Sequence, residues 1–463
     1  MGHIFINVNS DGPATGWNRS QNAQKYLVLD LASQHDAAQQ PQYAPLPAAS
    51  FPSVSSQYST SLPAPIPIFP RVPVADVNNL PSMVDCFLDL YYRRFGHDKA
   101  STDLLPPGTE CGGWRSLLPQ WIGQSPILDI AIGALAASFV GAQYQDSNLI
   151  NQARDMYLNA LQMVQKVLPE RNSAERFDLL ATTLVMSSIE LFMSNGGSAS
   201  QLTHIEGATR LLGCAFETSN FEELHLYILN QGLFESISTR RPYEFASPKY
   251  QPTMGQLFSV PRTHGSDLYF QWCEINLPLP NILHAVDNLS SSSSQSARIL
   301  LSNINVLEQN LKQWYETLRS QVSGPWTLPA AQTSSSRVPF PLHFLSIEVC
   351  TLFNLYWTTQ VLLLDAKHTV YTSAAFSSCS PMSSDASLPA QISEYASLIC
   401  RSVQFCTQGT SFAATENMLM PLCVVIGVYK RQGDEERARW CGGAFRRISE
   451  EQRIGFAIEG LEL

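Results

Sequence analysis

The residues of this 463-residue chain best spaced for chemistry are His204, Glu206 and Arg210, in the run His-Ile-Glu-Gly-Ala-Thr-Arg. An imidazole, a carboxylate and a guanidinium there could form a polar cluster on one helical turn. The same spacing also suits the opening of a helix. In that reading His204 is a satisfied, partly buried imidazole, Gly207 lets two helices approach, and Glu206 pairs with Arg210 at i,i+4. The second reading is favoured. Arg240-Arg241 and Arg446-Arg447 invite a phosphate or nucleic-acid reading, but acidic residues flank both pairs and a solvated face accounts for them better.

Other chemistry is hard to place. GxSxG, HExxH, GxGxxG after a strand, Walker A and a strand-borne DxD are all missing from the sequence. The ten cysteines form no CxxC pair, and none lie closer together than Cys400 and Cys406, so a compact array of thiolates around metal has no starting point. Cys86, Cys214, Cys350, Cys400, Cys406 and Cys423 lie in apolar periodic segments and are expected to act as small core residues. No catalytic, cofactor-binding or metal-binding residue is assigned, and no cofactor is expected.

A net charge of -10 and a pI near 5.4 point away from a stand-alone nucleic-acid binder, which needs a basic face to displace counterions. The longest apolar stretches, 126–142 and 418–429, look too short or interrupted to span a bilayer, and MGHIFINVNSDG lacks the basic and apolar regions of a signal peptide. No membrane partner is expected, and a nuclear or cytosolic protein follows.

The elements that must carry these residues read as helices throughout. Residues 1–34 form an N-terminal arm. Residues 35–80, rich in Pro, Ser, Ala and Gln and without periodicity, form a disordered or extended linker. Residues 81–463 form one large helical domain, so the fold class is all-α. The domain opens with SMVDCFLDLYYRRFG, capped by Ser82, followed by a short WRSLLPQWI segment. A core helix runs from Pro126. An amphipathic helix capped by Asp146 or Ser147 follows it and stops at Pro169. A third helix carries Phe177, Leu180, Leu184, Ile189 and Leu191, and a short one closes at Gly213. After FEELHLYILNQGLFESIST the chain reads as mostly irregular to Leu268. Leu300, Ile304, Leu307, Leu311, Trp314 and Leu318 then mark a strong amphipathic helix, whose partner is HFLSIEVCTLFNLYWTTQVLLLDA. Three more helical patterns finish the chain, and no β-rich region is expected.

SMVDCFLDLYYRRF, ILDIAIGALAASFVGAQYQD, ARDMYLNALQMVQKVL, LLATTLVMSSIELF and LTHIEGATRLLG together resemble the fungal-specific transcription factor domain. Its most recognisable landmark falls on His204, Gly207, Ala208, Leu211 and Leu212. Arg240-Arg241-Pro242-Tyr243 resembles the family's turn after the next helix. Phe5, Ile6, Asn7 and Val8 resemble the arm of a subgroup often labelled tachykinin-like. The resemblance implies a non-enzymatic regulator of transcription for a metabolic or secondary-metabolite gene set. The zinc binuclear cluster that reads DNA in relatives has no counterpart here. DNA contact is therefore expected to be indirect, with other transcriptional regulators or a second copy of the chain as partners. The alternative is an interaction module that sequesters other regulators, and an enzyme on a helical scaffold is least favoured. A small-molecule pocket of the kind the resemblance implies would be lined by aromatics such as Trp272, Trp314 and Trp357.

Overall fold

A computed structural model describes residues 79–92, 113–169, 176–193, 199–216, 223–260, 267–289, 294–327, 340–373, 387–407 and 412–452. The chain divides into Met1–Val72 and Pro73–Leu463, and every described residue belongs to the second unit. The expected arm, nearly all of the expected linker, and Cys111 and Cys379 lie outside the described residues.

The first helix, α1 (Leu80–Tyr92), starts two residues ahead of the expected Ser82 cap and buries Leu80, Met83, Val84, Phe87 and Tyr91. A 3₁₀ turn (Trp114–Leu117) runs into α2 (Leu118–Trp121), and Trp114, Leu117, Leu118 and Trp121 are all buried, as their spacing predicts. Helix α3 (Pro126–Tyr144) begins with Ser125, whose Oγ accepts from the Leu128 N–H, followed by proline in the first turn. Every residue from Ala131 to Gly141 is buried. A helix apolar on all sides belongs in a core.

Gln145, at φ 55°, turns the chain sharply into α4 (Ser147–Val167), where Asp146 caps the Asn148 and Leu149 amides. A Cβ on Gly141 would lie 3.2 Å from the Ile150 nitrogen, so this tight corner favours glycine. Helix α5 (Phe177–Met193) is buried without a break from Leu179 to Ile189 and packs on α3. Next come α6 (Ala199–Ala215) and α7 (Glu223–Thr239), each packed on its predecessor. Gly213 lies inside α6 rather than closing it, because nothing there forces the left-handed cap that would end the helix.

Among its described residues, the stretch expected to be irregular is largely helical. Two 3₁₀ turns, Glu244–Ala246 and Pro248–Tyr250, lead into α8 (Gln251–Phe258). Prolines that look like breakers occupy first-turn positions here, where a missing N–H costs nothing. Helices α9 (Asp267–Asn276) and α10 (Leu279–Asp287) separate at Pro278, as expected.

Helix α11 (Ser294–Gln321) buries Ala297 and the six residues that the sequence period selects. It packs on α12 (Ile347–Thr372), which is buried from Val349 to Leu364 and forms the axis of the second half. Between them lies a small departure from all-α structure: Trp326–Thr327 pairs antiparallel with Leu342–His343. Helices α13 (Leu388–Thr407), α14 (Phe412–Glu416), α15 (Leu419–Arg431) and α16 (Glu435–Gln452) finish the domain, α13 and α15 against α12 and α16 against α15.

The membrane expectation needs correction. Pro126–Tyr144, Ile347–Thr372 and Phe412–Arg431 are long and apolar enough to cross a bilayer by length and composition, because the helices run on past the apolar stretches noted in the sequence. Within the protein, 78%, 94% and 61% of those windows are buried, so most of each lies against the rest of the domain. The cysteine expectation also fails in part. Cys350 and Cys406 are buried, Cys86 and Cys400 are half-buried, and Cys214 and Cys423 are exposed because they fall on outward helix flanks.

The two ends of the domain meet at a seam. Phe139 on α3 is surrounded by Phe87, Tyr91, Phe192 and Phe412, with ring centroids 5.0–5.7 Å away. Beside it the buried Arg115 guanidinium donates to Ser188 Oγ on α5 at 2.8 Å and to Glu416 Oε1 on α14 at 3.1 Å. It also lies 5.0 Å from the Tyr91 ring and 4.7 Å from the Trp114 ring. The Tyr91 hydroxyl donates to the other Glu416 oxygen. A cation in a dry interior depends on such partners. Arg115→Met, which keeps the stem and removes the charge, is expected to lower the unfolding free energy by about 3 kcal/mol. Glu416→Gln should cost less, since Glu416 is 26% exposed. Urea denaturation of both variants and their double should show a combined loss smaller than the sum, and strict additivity would refute the coupling.

Candidate functional site

The landmark residues sit on α6, between α5 and α7. His204, Ala208 and Leu212 recur every four residues and are buried, whereas Gly207 and Leu211 flank that stripe and are half-exposed. Glu206 and Arg210 point to solvent and pair at 2.6 Å, the i,i+4 contact that the spacing predicts. The structure therefore parts the three groups of the polar cluster, sending His204 inward and the ion pair outward.

Inside, His204 meets two residues with no part in the sequence reading. Its Nε2 lies 2.8 Å from the Tyr157 hydroxyl on α4, and that hydroxyl donates to Glu190 Oε1 on α5 at 2.5 Å. A phenol has one proton, so with that proton committed to the carboxylate its oxygen accepts from His204 Nε2–H. The chain of donors runs from α6 through α4 to α5, and Glu190 Oε1 lies 3.9 Å from His204 Nε2. Burial lowers the imidazole pKa to about 4, so His204 is neutral near neutral pH. Burial also raises the Glu190 carboxyl, with the Tyr157 hydrogen bond opposing the shift. These shifts follow from the cost of charge in a dry site. The arrangement holds three helices in register. The sequence signal for it was Glu190, the one charged residue in the run LVMSSIELF.

Gly207 does not create a close helix approach. A Cβ there would meet nothing nearer than Thr183 Cγ2 at 3.9 Å. The contact that requires glycine is at Gly232 on α7, where a Cβ would lie 2.7 Å from Thr209 Oγ1 and 3.2 Å from the Tyr243 ring and hydroxyl. Tyr243 belongs to the second landmark. Its N–H donates to Asn281 Oδ1 at 2.6 Å and its buried hydroxyl to the Leu229 carbonyl at 2.7 Å. Arg240, at φ 53°, grips Asp287 through Nε and Nη2, each at 2.7 Å. The solvated-face reading holds for exposed Arg241, while Arg240 is a bidentate tether between the end of α7 and α10.

The three tryptophans named as pocket lining are core residues. Trp272 Nε1–H donates to Thr359 Oγ1 at 3.2 Å and Trp314 Nε1–H to the Leu268 carbonyl at 2.9 Å, while Trp357 packs against Phe344 and Phe353. The sequence did not single out Asn230, on α7, which is buried with neither amide atom engaged by the described residues; Thr182 and Thr358 each bury a hydroxyl in the same condition. Among the described residues no three His, Cys, Asp or Glu side chains are grouped to hold a metal ion.

Two outcomes follow from this geometry. Gly207→Ala should stabilise the domain by up to about 1 kcal/mol through helix propensity. Gly232→Ala should instead destabilise it by about 1–3 kcal/mol through overpacking, the pair being read by thermal or urea unfolding. The second concerns pH. The unfolded imidazole takes up a proton near pH 6.5 and the folded one near 4, so acidification through that window favours the unfolded chain. Between pH 7 and 4 the natural chain should lose on the order of 2–3 kcal/mol more stability than His204→Gln, which has nothing to titrate there. Equal pH profiles for the two proteins would contradict the buried neutral imidazole.

Neither the curated proteins nor the solved structures contain a match to the chain. The family model for the fungal specific transcription factor domain matches residues 88–450, from within α1 into α16, and so takes in both landmark segments and all of the aromatic seam but Phe87. Members of that family are not enzymes in general, and the domain implies transcription regulation with a nuclear role. The chain belongs to the fungal-specific transcription factor domain family.

Proposed function

We propose that this protein regulates transcription through other, DNA-bound regulators, serving a metabolic or secondary-metabolite gene set from within the nucleus. The family match across residues 88–450 carries the regulatory part of the reading. Indirect DNA contact is supported by the net charge of -10, which repels phosphate, and by cysteines that offer no CxxC pair for a zinc cluster within this sequence. The prominent arginines support it too. Arg115 is buried at the seam, and Arg240, Arg210 and Arg431 are each paired with a carboxylate. A basic stripe able to follow a duplex is hard to assemble from side chains already committed in this way.

The test is chromatin immunoprecipitation of the tagged protein in its native host, with and without an added protein–protein crosslinker. Focal promoter peaks that strengthen with the crosslinker, over a sequence motif belonging to another factor, are the expected result. Peaks of equal strength without it, over a motif that the purified protein binds alone, would replace indirect with direct contact. Absence of enrichment in cells where the protein is present would reject the promoter-associated role.

A further inference from the structure

Two pairs of thiols meet across helices that the sequence gives no reason to connect. Cys350 on α12 and Cys406 on α13 have sulfurs 3.2 Å apart, and Cys400 on α13 and Cys441 on α16 have sulfurs 3.6 Å apart. The surroundings differ. Cys350 and Cys406 are both buried, and the Asn354 amide occupies the first sulfur at 3.3 Å. Cys400 is half-buried, beside Tyr429 of α15 and Arg437 of α16, the latter's guanidinium lying 5.7 Å from the Tyr429 ring.

We infer that Cys400 and Cys441 form a peroxide-reactive pair, Cys400 as the nucleophile and Cys441 as the resolving thiol, closing a reversible disulfide between α13 and α16. Reactivity of this kind needs a thiolate, access, and a second thiol within reach. The second thiol is in sulfur–sulfur contact. Access comes from the half-buried position of Cys400, in contrast to the sealed Cys350–Cys406 pair. Thiolate character is favoured by the hydrogen bond from Cys441, by the Tyr429 hydroxyl and by the Arg437 charge, which together outweigh burial and lower the Cys400 thiol below its ordinary range. The same pairing raises Cys441, which keeps its proton until it is needed.

In the first step the Cys400 thiolate attacks one oxygen of hydrogen peroxide. The O–O bond breaks, the departing hydroxide takes up a proton as water, and Cys400 becomes a sulfenic acid. In the second, Cys441 loses its proton and attacks that sulfur. The S–S bond forms as the S–O bond breaks, and a second water leaves. Two thiols lose two electrons and one peroxide gains them. Covalent closure needs the sulfurs to come from 3.6 Å to about 2.05 Å.

The test uses the full-length protein exposed to graded hydrogen peroxide, quenched with an alkylating reagent, and analysed by peptide mass spectrometry with and without dithiothreitol. A Cys400–Cys441 linked peptide should appear, at least tenfold more abundant than any Cys350–Cys406 link, and disappear on reduction. Cys214 and Cys423 should still take up the alkylating reagent at peroxide doses that consume Cys400. Cys441→Ser should accumulate a dimedone-trapped sulfenic acid at Cys400, and Cys400→Ser should give neither product, with circular dichroism confirming that both variants fold. The inference is overturned if natural protein shows both thiols fully alkylated after peroxide, or if Cys214 or Cys423 oxidises first, or if the buried pair links equally well. These readouts are independent of the proposed role in transcription.

Discussion

A guanidinium buried at Arg115 constrains everything around it. Such a charge is tolerable only where carboxylate, hydroxyl and aromatic faces converge, and here they come from α1, α5 and α14, segments as far as 301 residues from Arg115 in sequence. Phe139 and Phe412 supply the apolar half of the same seam. The packing of α3 and α5 against α1 and α14 follows from satisfying both halves at once.

Away from the seam the domain follows one pattern twice. A helix apolar on all sides is wrapped by amphipathic ones: α3 and α5 by α1, α4 and α6 in the first half, and α12 by α11, α13 and α15 in the second. Some polar groups enter these interiors in hydrogen-bonded chains, as His204–Tyr157–Glu190 does. Such chains add register to a greasy interface that would otherwise permit sliding.

Where structure is local, the sequence was a good guide. The period of α11, the Asp146 cap, the split between α9 and α10 and the inward turn of His204 are all visible in residues within a few positions of one another. Its failures were tertiary or positional. Proline at the first turn of α8 looked like a breaker, Gly207 stood in for Gly232, and Cys214 and Cys423 lay on helix faces whose orientation depends on neighbours far along the chain. Tyr157 and Arg115 gave no local hint of their partners, since a contact between α4 and α6, or between the turn before α2 and α14, is set by the packing of whole helices. The candidate site was thus legible in the Glu206–Arg210 pair and the inward turn of His204, and hidden in the Tyr157 hydroxyl that links that imidazole to Glu190.

The seam also sets a clock on the ribosome. Phe139 and Arg115 emerge roughly 300 residues before Phe412 and Glu416 exist to cover them. At about 5–20 residues per second, an apolar face and an uncompensated cation wait on the order of 15–60 s for their final partners. For that interval the nascent first half presents the kind of surface that holding chaperones bind. A chain released short of α14 would carry that surface permanently, so quality control would see a premature stop in this gene as an aggregation hazard before it registered as a missing regulator.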